Sequence, residues 1–137
     1  MIQLIAGESG TGKTKQMIEM ANRLAENESQ NVVYLDDDNR YIYDLTHKVR
    51  FTSLHEYPVR DLKGYLGFIC GIISKDHDIE AIFIDGLFKM MKIDLEDFSK
   101  FIQEIKQLSQ KFQIVFYVTA NYNKAQLPEE LKEYVVS

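Results

Sequence analysis

The segment from Gly7 to Thr14, which reads G-E-S-G-T-G-K-T, constrains the fold more than any other part of this 137-residue chain. It follows the apolar run IQLIA (2–6), which is too short for a helix and is typical of a buried strand. From Lys13 onward, apolar residues recur at helical spacing to about Asn27. Glycines between a strand and a helix allow successive N–H groups to point inward. The sequence therefore predicts a strand, a tight anion-binding loop and a helix.

The spacing within this loop fits the pattern G-x-x-x-x-G-K-[ST], whose backbone amides bind phosphate groups. In that pattern Lys13 supplies a positive charge for the β- and γ-phosphates, and Thr14 supplies a hydroxyl ligand for Mg²⁺. A dinucleotide-binding G-x-G-x-x-G loop is excluded, because Lys15 stands where the last glycine is required. The predicted nucleotide-binding residues are Gly7, Glu8, Ser9, Gly10, Thr11, Gly12, Lys13, Thr14 and Lys15.

Strands and helices alternate along the rest of the chain. Strands are predicted at 31–35, 79–84 and 113–118, with a weaker edge strand at 49–54 and a short last strand at 134–136. Helices are predicted at 58–75 and at 94–112, the second with Asp94 as its N-cap. This alternation favours a three-layer α/β fold, with a mainly parallel sheet of about five strands flanked by helices. The length fits a single domain over residues 1–137.

The predicted helix 58–75 has an unusual composition. Gly64, Gly67 and Gly71 each cost up to about 1 kcal/mol relative to alanine in a helix interior. They indicate either a stripe where another element packs closely or a mobile segment that responds to ligand. The single cysteine, Cys70, excludes an intrachain disulfide and is expected to be a small buried hydrophobe.

An acidic residue follows another apolar strand in the segment AIFID (81–85). A magnesium–nucleotide site needs a carboxylate at the tip of a strand near the phosphate loop, and Asp85 fits that position as a metal ligand. The alternative is that Asp85 only turns the chain after the strand. The two motifs resemble the Walker A and Walker B motifs of P-loop NTPases, and the resemblance covers most of the chain.

The segment VVYLDDDNRY (32–41) resembles RecA-like ATPases, in which an acid just past the second strand activates water. The resemblance gives this catalytic role, alongside Lys13, to Asp38, with Asp37 as a close rival. A solvated acidic turn and a metal or partner contact are the alternatives. Repulsion between adjacent carboxylates should raise the pKa of at least one of them. The same resemblance implies that Thr119 or Asn121, near the end of the strand beside the loop strand, senses the γ-phosphate.

Several related motifs are not found in the sequence. Gln126 stands where guanine-specific GTPases have a base-reading Asp, and Phe88 stands where their D-x-x-G switch needs glycine. Gly86 replaces the glutamate that AAA-type ATPases carry after the Walker B aspartate. ATP is therefore expected rather than GTP. No arginine is obvious within the chain for phosphate chemistry, so turnover is expected to be slow unless a homo-oligomer or a protein partner supplies one. The closest overall resemblance is to small stand-alone members that are loosely labelled PilT-like ATPases.

Composition argues against other classes of protein. The net charge of −5 and the lack of a basic run make nucleic acid an unlikely partner. The apolar runs are shorter than the roughly 20 residues of a membrane span, no signal-peptide pattern is found, and a cytoplasmic location is expected. The P-loop resemblance implies binding of ATP with Mg²⁺ and slow hydrolysis. The alternatives are a nucleotide-dependent protein-binding module with little or no hydrolysis, and a phosphotransferase that acts on a small acceptor.

Overall fold

The structure, a computed structural model, describes residues 1–136 and contains a five-stranded sheet with helices on both faces. The strands are β1 (Ile2–Ala6), β2 (Val32–Asp36), β3 (Arg50–Ser53), β4 (Ala81–Ile84) and β5 (Val115–Ala120). The helices are α1 (Lys13–Asn27), α2 (Leu62–Lys75), α3 (Leu87–Met90), α4 (Leu95–Phe112) and α5 (Glu129–Lys132). Short 3₁₀ turns lie at Ile42–Asp44, Leu54–Glu56 and Lys124–Gln126.

All strand pairs are parallel, and the strand order is β1-β5-β4-β2-β3. The predicted three-layer α/β fold is therefore confirmed, including β3 at the edge of the sheet. The strand predicted at 134–136 does not form. Instead, Val135 makes an isolated parallel bridge with Leu4. Because the strands are parallel, the loops that follow β1, β2, β4 and β5 all lie along one edge of the sheet.

Alternate residues of each strand face opposite layers, which divides the core in two. On one face α1 packs over Ile5, Tyr34 and Phe83 of the sheet. On the other face α2 and α4 pack over a larger set that includes Leu4 and Ile84. Both faces of the central strands are thus covered, which explains why their sequences are almost continuously apolar.

The predicted N-cap of α4 is confirmed, and the helix buries an apolar stripe. The Asp94 carboxylate accepts a hydrogen bond of 2.8 Å from the Asp97 amide, as an N-cap should. Phe98, Phe101 and Ile102 are buried on the side of the helix that faces the sheet.

Helix α2 differs from its prediction at its start. It begins at Leu62 rather than Pro58, because the Asp61 carboxylate accepts a hydrogen bond of 2.7 Å from the Gly64 amide and caps the helix there. Only Tyr65, Ile69 and Ile73 are buried along its length.

On the outer side of α2 the structure contradicts the prediction for Cys70 and one of the two alternatives for the glycines. Cys70 is exposed rather than buried. A Cβ atom built at Gly67 or Gly71 would meet no atom within 4 Å, so no element packs closely against these glycines. Both errors have one cause: an apolar sequence on all sides of a helix does not show which side the sheet covers.

Within residues 1–136, none of the helices is long and apolar enough to cross a membrane.

Candidate functional site

A cavity of about 720 Å³ lies at the edge of the sheet where β1, β4 and β5 end, and we refer to it as the loop cavity. Its lining residues are Ser9, Gly10, Gly12, Lys13, Thr14, Lys15, Ile18, Glu19, Asn22, Tyr41, Asp44, Asp85, Gly86, Phe88, Lys89, Thr119 and Asn121. Residues that are distant in sequence thus converge here, and they include both residues of the predicted metal pair, Thr14 and Asp85.

The glycine-rich loop leads directly into α1, as predicted. Gly12 is the N-cap residue, and its φ of 85° lies in the left-handed region that glycine adopts without strain. The Lys13 ammonium donates hydrogen bonds of 2.7 Å to the Gly7 carbonyl and 2.9 Å to the Glu8 carbonyl. Partial burial lowers the pKa of Lys13, whereas the negative charge of Asp85 raises it. The loop therefore holds a cation against its own backbone, close to the cavity.

Three of the predicted loop residues do not line the cavity: Gly7, Glu8 and Thr11. They support the loop instead. The Thr11 hydroxyl donates to the Glu8 carbonyl at 2.7 Å, and the Glu8 carboxylate accepts from the Asn123 side chain at 3.3 Å. These contacts fix the loop against itself and against the segment that follows β5.

Asp85 is buried, with 4% of its surface exposed, and its carboxylate is held by three donors. Oδ1 accepts from the Thr119 hydroxyl and from the Gly86 amide, both at 2.9 Å. Oδ2 accepts from the Tyr34 hydroxyl at 2.9 Å. A carboxylate has about four lone-pair sites, so one acceptor position remains on Oδ2.

Tyr34 was missed by sequence reasoning as a site residue. Its ring stacks on Phe83 with the ring centroids 5.6 Å apart, and Phe83 stacks on Tyr117 at 4.3 Å. Because the three residues are in register on adjacent strands, this row of rings positions the Tyr34 hydroxyl beside Asp85. Burial and the nearby Asp85 charge raise the pKa of Tyr34, which keeps the hydroxyl protonated as a donor. The available signal was a phenol within an otherwise apolar strand.

The structure gives the two predicted sensor residues different surroundings. Thr119 lines the loop cavity, and its hydroxyl is engaged with Asp85. Asn121 also lines the cavity, just beyond the end of β5. Thr119 therefore positions the carboxylate of Asp85, whether or not it also contacts a ligand.

The three acidic residues at the end of β2 and directly after it lie in different environments, and none of them lines the cavity. Asp36 is buried, and its Oδ2 atom has no hydrogen-bond partner. Asp37 lies against Gly86, since a Cβ atom built on that glycine would be 2.2 Å from Asp37 Oδ1. Asp38 accepts hydrogen bonds from the backbone and side chain of Arg40, at 3.0 and 3.2 Å. Of the two predicted water-activating residues, Asp37 is therefore the one next to the Asp85 segment.

The pKa of Asp36 is raised to about 8. The largest cause is burial, followed by a hydrogen bond with the Asp37 side chain and by the charge of Asp85. A raised pKa was predicted for one of these acids. Desolvation contributes more to it than the mutual repulsion on which the prediction was based.

Lys89 is a second residue that sequence reasoning missed. It lies on α3, directly after the Asp85–Gly86 turn, and lines the cavity together with Phe88. None of the chain's four arginines (Arg23, Arg40, Arg50 and Arg60) lines it. The available signal was a lysine four residues after the predicted metal ligand.

The donor set of the cavity fits a magnesium ion that is bound partly by protein oxygen atoms and partly by phosphate. Thr14 and Asp85 offer a hydroxyl and a carboxylate, and oxygen atoms are the ligands that Mg²⁺ prefers. Within residues 1–136, no group of three or more His, Cys, Asp or Glu side chains is arranged to hold a metal ion. Protein sites for Mg²⁺ commonly combine one or two carboxylates with substrate phosphates. These residues fit that arrangement better than they fit an all-protein metal cage.

Comparison of the sequence with protein-family models finds no match, and no curated protein matches it. The functional interpretation therefore depends on the geometry of the loop cavity and on the motifs that form it.

Proposed function

We propose that the protein is a P-loop NTPase of the RecA-like class that binds ATP with Mg²⁺ and hydrolyses it slowly. The observation that carries the proposal is that Lys13 and Thr14 share one cavity with Asp85, which lies 71 residues further along the sequence. The position of β5 between β1 and β4 also supports the RecA-like class, because it brings Thr119 to the same edge. A cytoplasmic location goes with this proposal.

In the proposed complex, loop amides and Lys13 bind the phosphates, and Thr14 and Asp85 hold Mg²⁺. When bound, the ion would neutralise the negative charge of the phosphates. Asp85 would suit this role because Tyr34, Thr119 and Gly86 fix its carboxylate and leave one acceptor position unused. The Lys13 ammonium would exchange the carbonyls of Gly7 and Glu8 for phosphate oxygens.

We assign the orientation of the attacking water to Asp37 in preference to Asp38. Asp37 lies against Gly86, next to the proposed metal ligand, whereas the Asp38 carboxylate is bound to Arg40. The assignment predicts that Asp37→Asn lowers hydrolysis by at least about 100-fold, the lower end of the usual contribution of a general base. Asp38→Asn should lower it by less than about threefold.

The test of the main proposal is calorimetric titration of the full chain with Mg-ATP, together with steady-state release of phosphate. Lys13→Ala should abolish both, and Asp85→Asn should weaken binding only when Mg²⁺ is present. Lys75→Ala, at an exposed site at the end of α2, serves as the matched control and should change neither. Equal phosphate release by wild type and Lys13→Ala would remove the enzymatic claim, and absence of Mg-ATP binding would remove the whole proposal.

A second candidate function is nucleotide-dependent protein binding, and the position of α3 favours it. This helix separates the loop cavity from a groove of about 780 Å³ between α2 and α4, to which it contributes Met90. A change at Gly86 or Lys89 on nucleotide binding would reach that groove through a single helical turn. Tight Mg-ATP binding without turnover would support this function, and ADP release only after an acceptor is added would indicate a phosphotransferase.

A further inference from the structure

Helix α3 is held firmly although it is only four residues long. Leu87 is fully buried in the core beneath it. The Phe88 ring packs against Phe98 and Tyr122, with centroid distances of 5.1 and 5.6 Å. Gly86 begins the helix directly after Asp85. Lys89 is thus presented to the loop cavity directly after residues whose side chains are packed in the core.

Two cations line the loop cavity and interact electrostatically with each other. Lys13 and Lys89 both line it, and the positive charge of Lys89 contributes to lowering the pKa of Lys13 after the larger effect of burial. Among residues 1–136, no carboxylate lies within ion-pair distance of Lys89. Asp85 is the nearest acidic lining residue in sequence, and most of its acceptor positions are already used. Two like charges across a cavity repel, and an anion bound between them would relieve that repulsion.

We infer that Lys89 contacts the terminal phosphate of the bound triphosphate and supplies, from within the chain, the positive charge that no arginine lining the cavity provides. This inference rests on the proposed function. Lys89 is assigned to the terminal phosphate because α3 follows Asp85, which would hold the ion that neutralises the phosphates. The expected partner supplying an arginine is then not needed for turnover.

The chemical role follows from the reaction. Water attacks the γ-phosphorus, the bond from that phosphorus to the bridging oxygen breaks, and the electron pair leaves with ADP. The water proton is released, so the products are ADP, inorganic phosphate and a proton. Charge spreads over the γ-phosphoryl oxygens in the transition state, where a fixed ammonium group stabilises it.

The test compares the affinities of each variant for Mg-ATP and Mg-ADP by calorimetry and measures kcat for phosphate release. Lys89→Met should lower the ratio of ATP affinity to ADP affinity by about fivefold or more, and lower kcat by about 10-fold or more. Lys89→Arg should restore the affinity ratio. Lys92→Met is the matched control, because Lys92 is exposed three residues away and lines the groove rather than the loop cavity.

The outcomes separate the inference from the proposed function. Wild-type binding of Mg-ATP with an unchanged affinity ratio in Lys89→Met overturns the inference and leaves the proposed function in place. An equal loss of ATP and ADP affinity also overturns it, because the contact is then with a phosphate common to both nucleotides. Failure of the wild-type chain to bind either nucleotide overturns both. A reduced ratio that Lys89→Arg restores supports the assignment.

Discussion

At the scale of single residues, the turn after β4 makes two demands on position 86 that only glycine meets. Gly86 has a φ of 74°, and its Cα approaches the Asp37 carboxylate so closely that a side chain has no room. This explains in physical terms why the glutamate of AAA-type ATPases has no place here. The position also links the acidic segment after β2 to the proposed metal ligand.

Gly86→Ala should therefore destabilise the protein by about 1–3 kcal/mol, through backbone strain and contact with Asp37. Denaturant unfolding measures the change. The same substitution in an Asp37→Ala background should cost less, because the contact with the carboxylate is gone. Equal losses in both backgrounds would show that the cost comes from the backbone and from Asp36, whose Oδ1 lies 2.9 Å from the same built Cβ atom, rather than from Asp37.

Asp36→Asn should change how stability depends on pH. The pKa of Asp36 is raised to about 8 in the folded protein, so between its unfolded value near 4 and pH 8 the folded state binds the extra proton. Wild-type stability then falls as pH rises through this range, by at most about 1.4 kcal/mol per pH unit from this group. The variant lacks this loss, so its stability relative to wild type should be higher at pH 8 than at pH 5.

Unfolding of the nucleotide-free protein at pH 5 and pH 8 provides the measurement. Glu104→Gln, at an exposed site on α4, is the control and should leave the pH dependence unchanged. Parallel curves for wild type and Asp36→Asn would contradict a raised pKa.

At the scale of secondary-structure elements, α2 shows the difference between sequence pattern and packing. Its glycines lie on the exposed side, and only Gly64 has a close neighbour, Asp61 Oδ1 at 3.1 Å from a built Cβ atom. The helix start depends on that same Asp61 oxygen. The glycines thus weaken the helix without creating a close contact, which leaves the alternative of a mobile, ligand-responsive segment open.

Gly67→Ala and Gly71→Ala should each stabilise the protein by up to about 1 kcal/mol, because alanine lowers the entropy of the unfolded chain and has open space around it. Thermal unfolding of the variants is the measurement. Gly64→Ala should gain less or lose stability, since its methyl group would press on the capping carboxylate. Destabilisation at Gly67 would show that an element or partner packs there.

At the scale of the whole molecule, ligand binding should couple to global stability. The lining of the loop cavity comes from β5, from α1 and α3, from the turn after β4 and from the loops beside them, so unfolding destroys the site. Mg-ATP at 100 times its Kd should raise the free energy of unfolding by about 2.7 kcal/mol, and the melting temperature by roughly 10 °C. The shift should vanish in Lys13→Ala; its persistence there would place the nucleotide elsewhere.

The sequence alone determined the strand–loop–helix at the start of the chain, the apolar central strands and the capped helix α4. These features depend on residues close in sequence, whose spacing fixes periodicity and capping. The position of Asp85 after an apolar strand could be predicted from the sequence for the same reason.

Only the tertiary structure decided which side chains surround the site. The strand order and register bring Tyr34 and Thr119 to Asp85, and the turn at Gly86 brings Lys89 into the cavity beside Lys13. The exposure of Cys70 was decided in the same way, by which side of α2 the sheet covers. The physical reason is that these contacts join residues that are distant in sequence, and their geometry follows from packing of the sheet rather than from any local pattern.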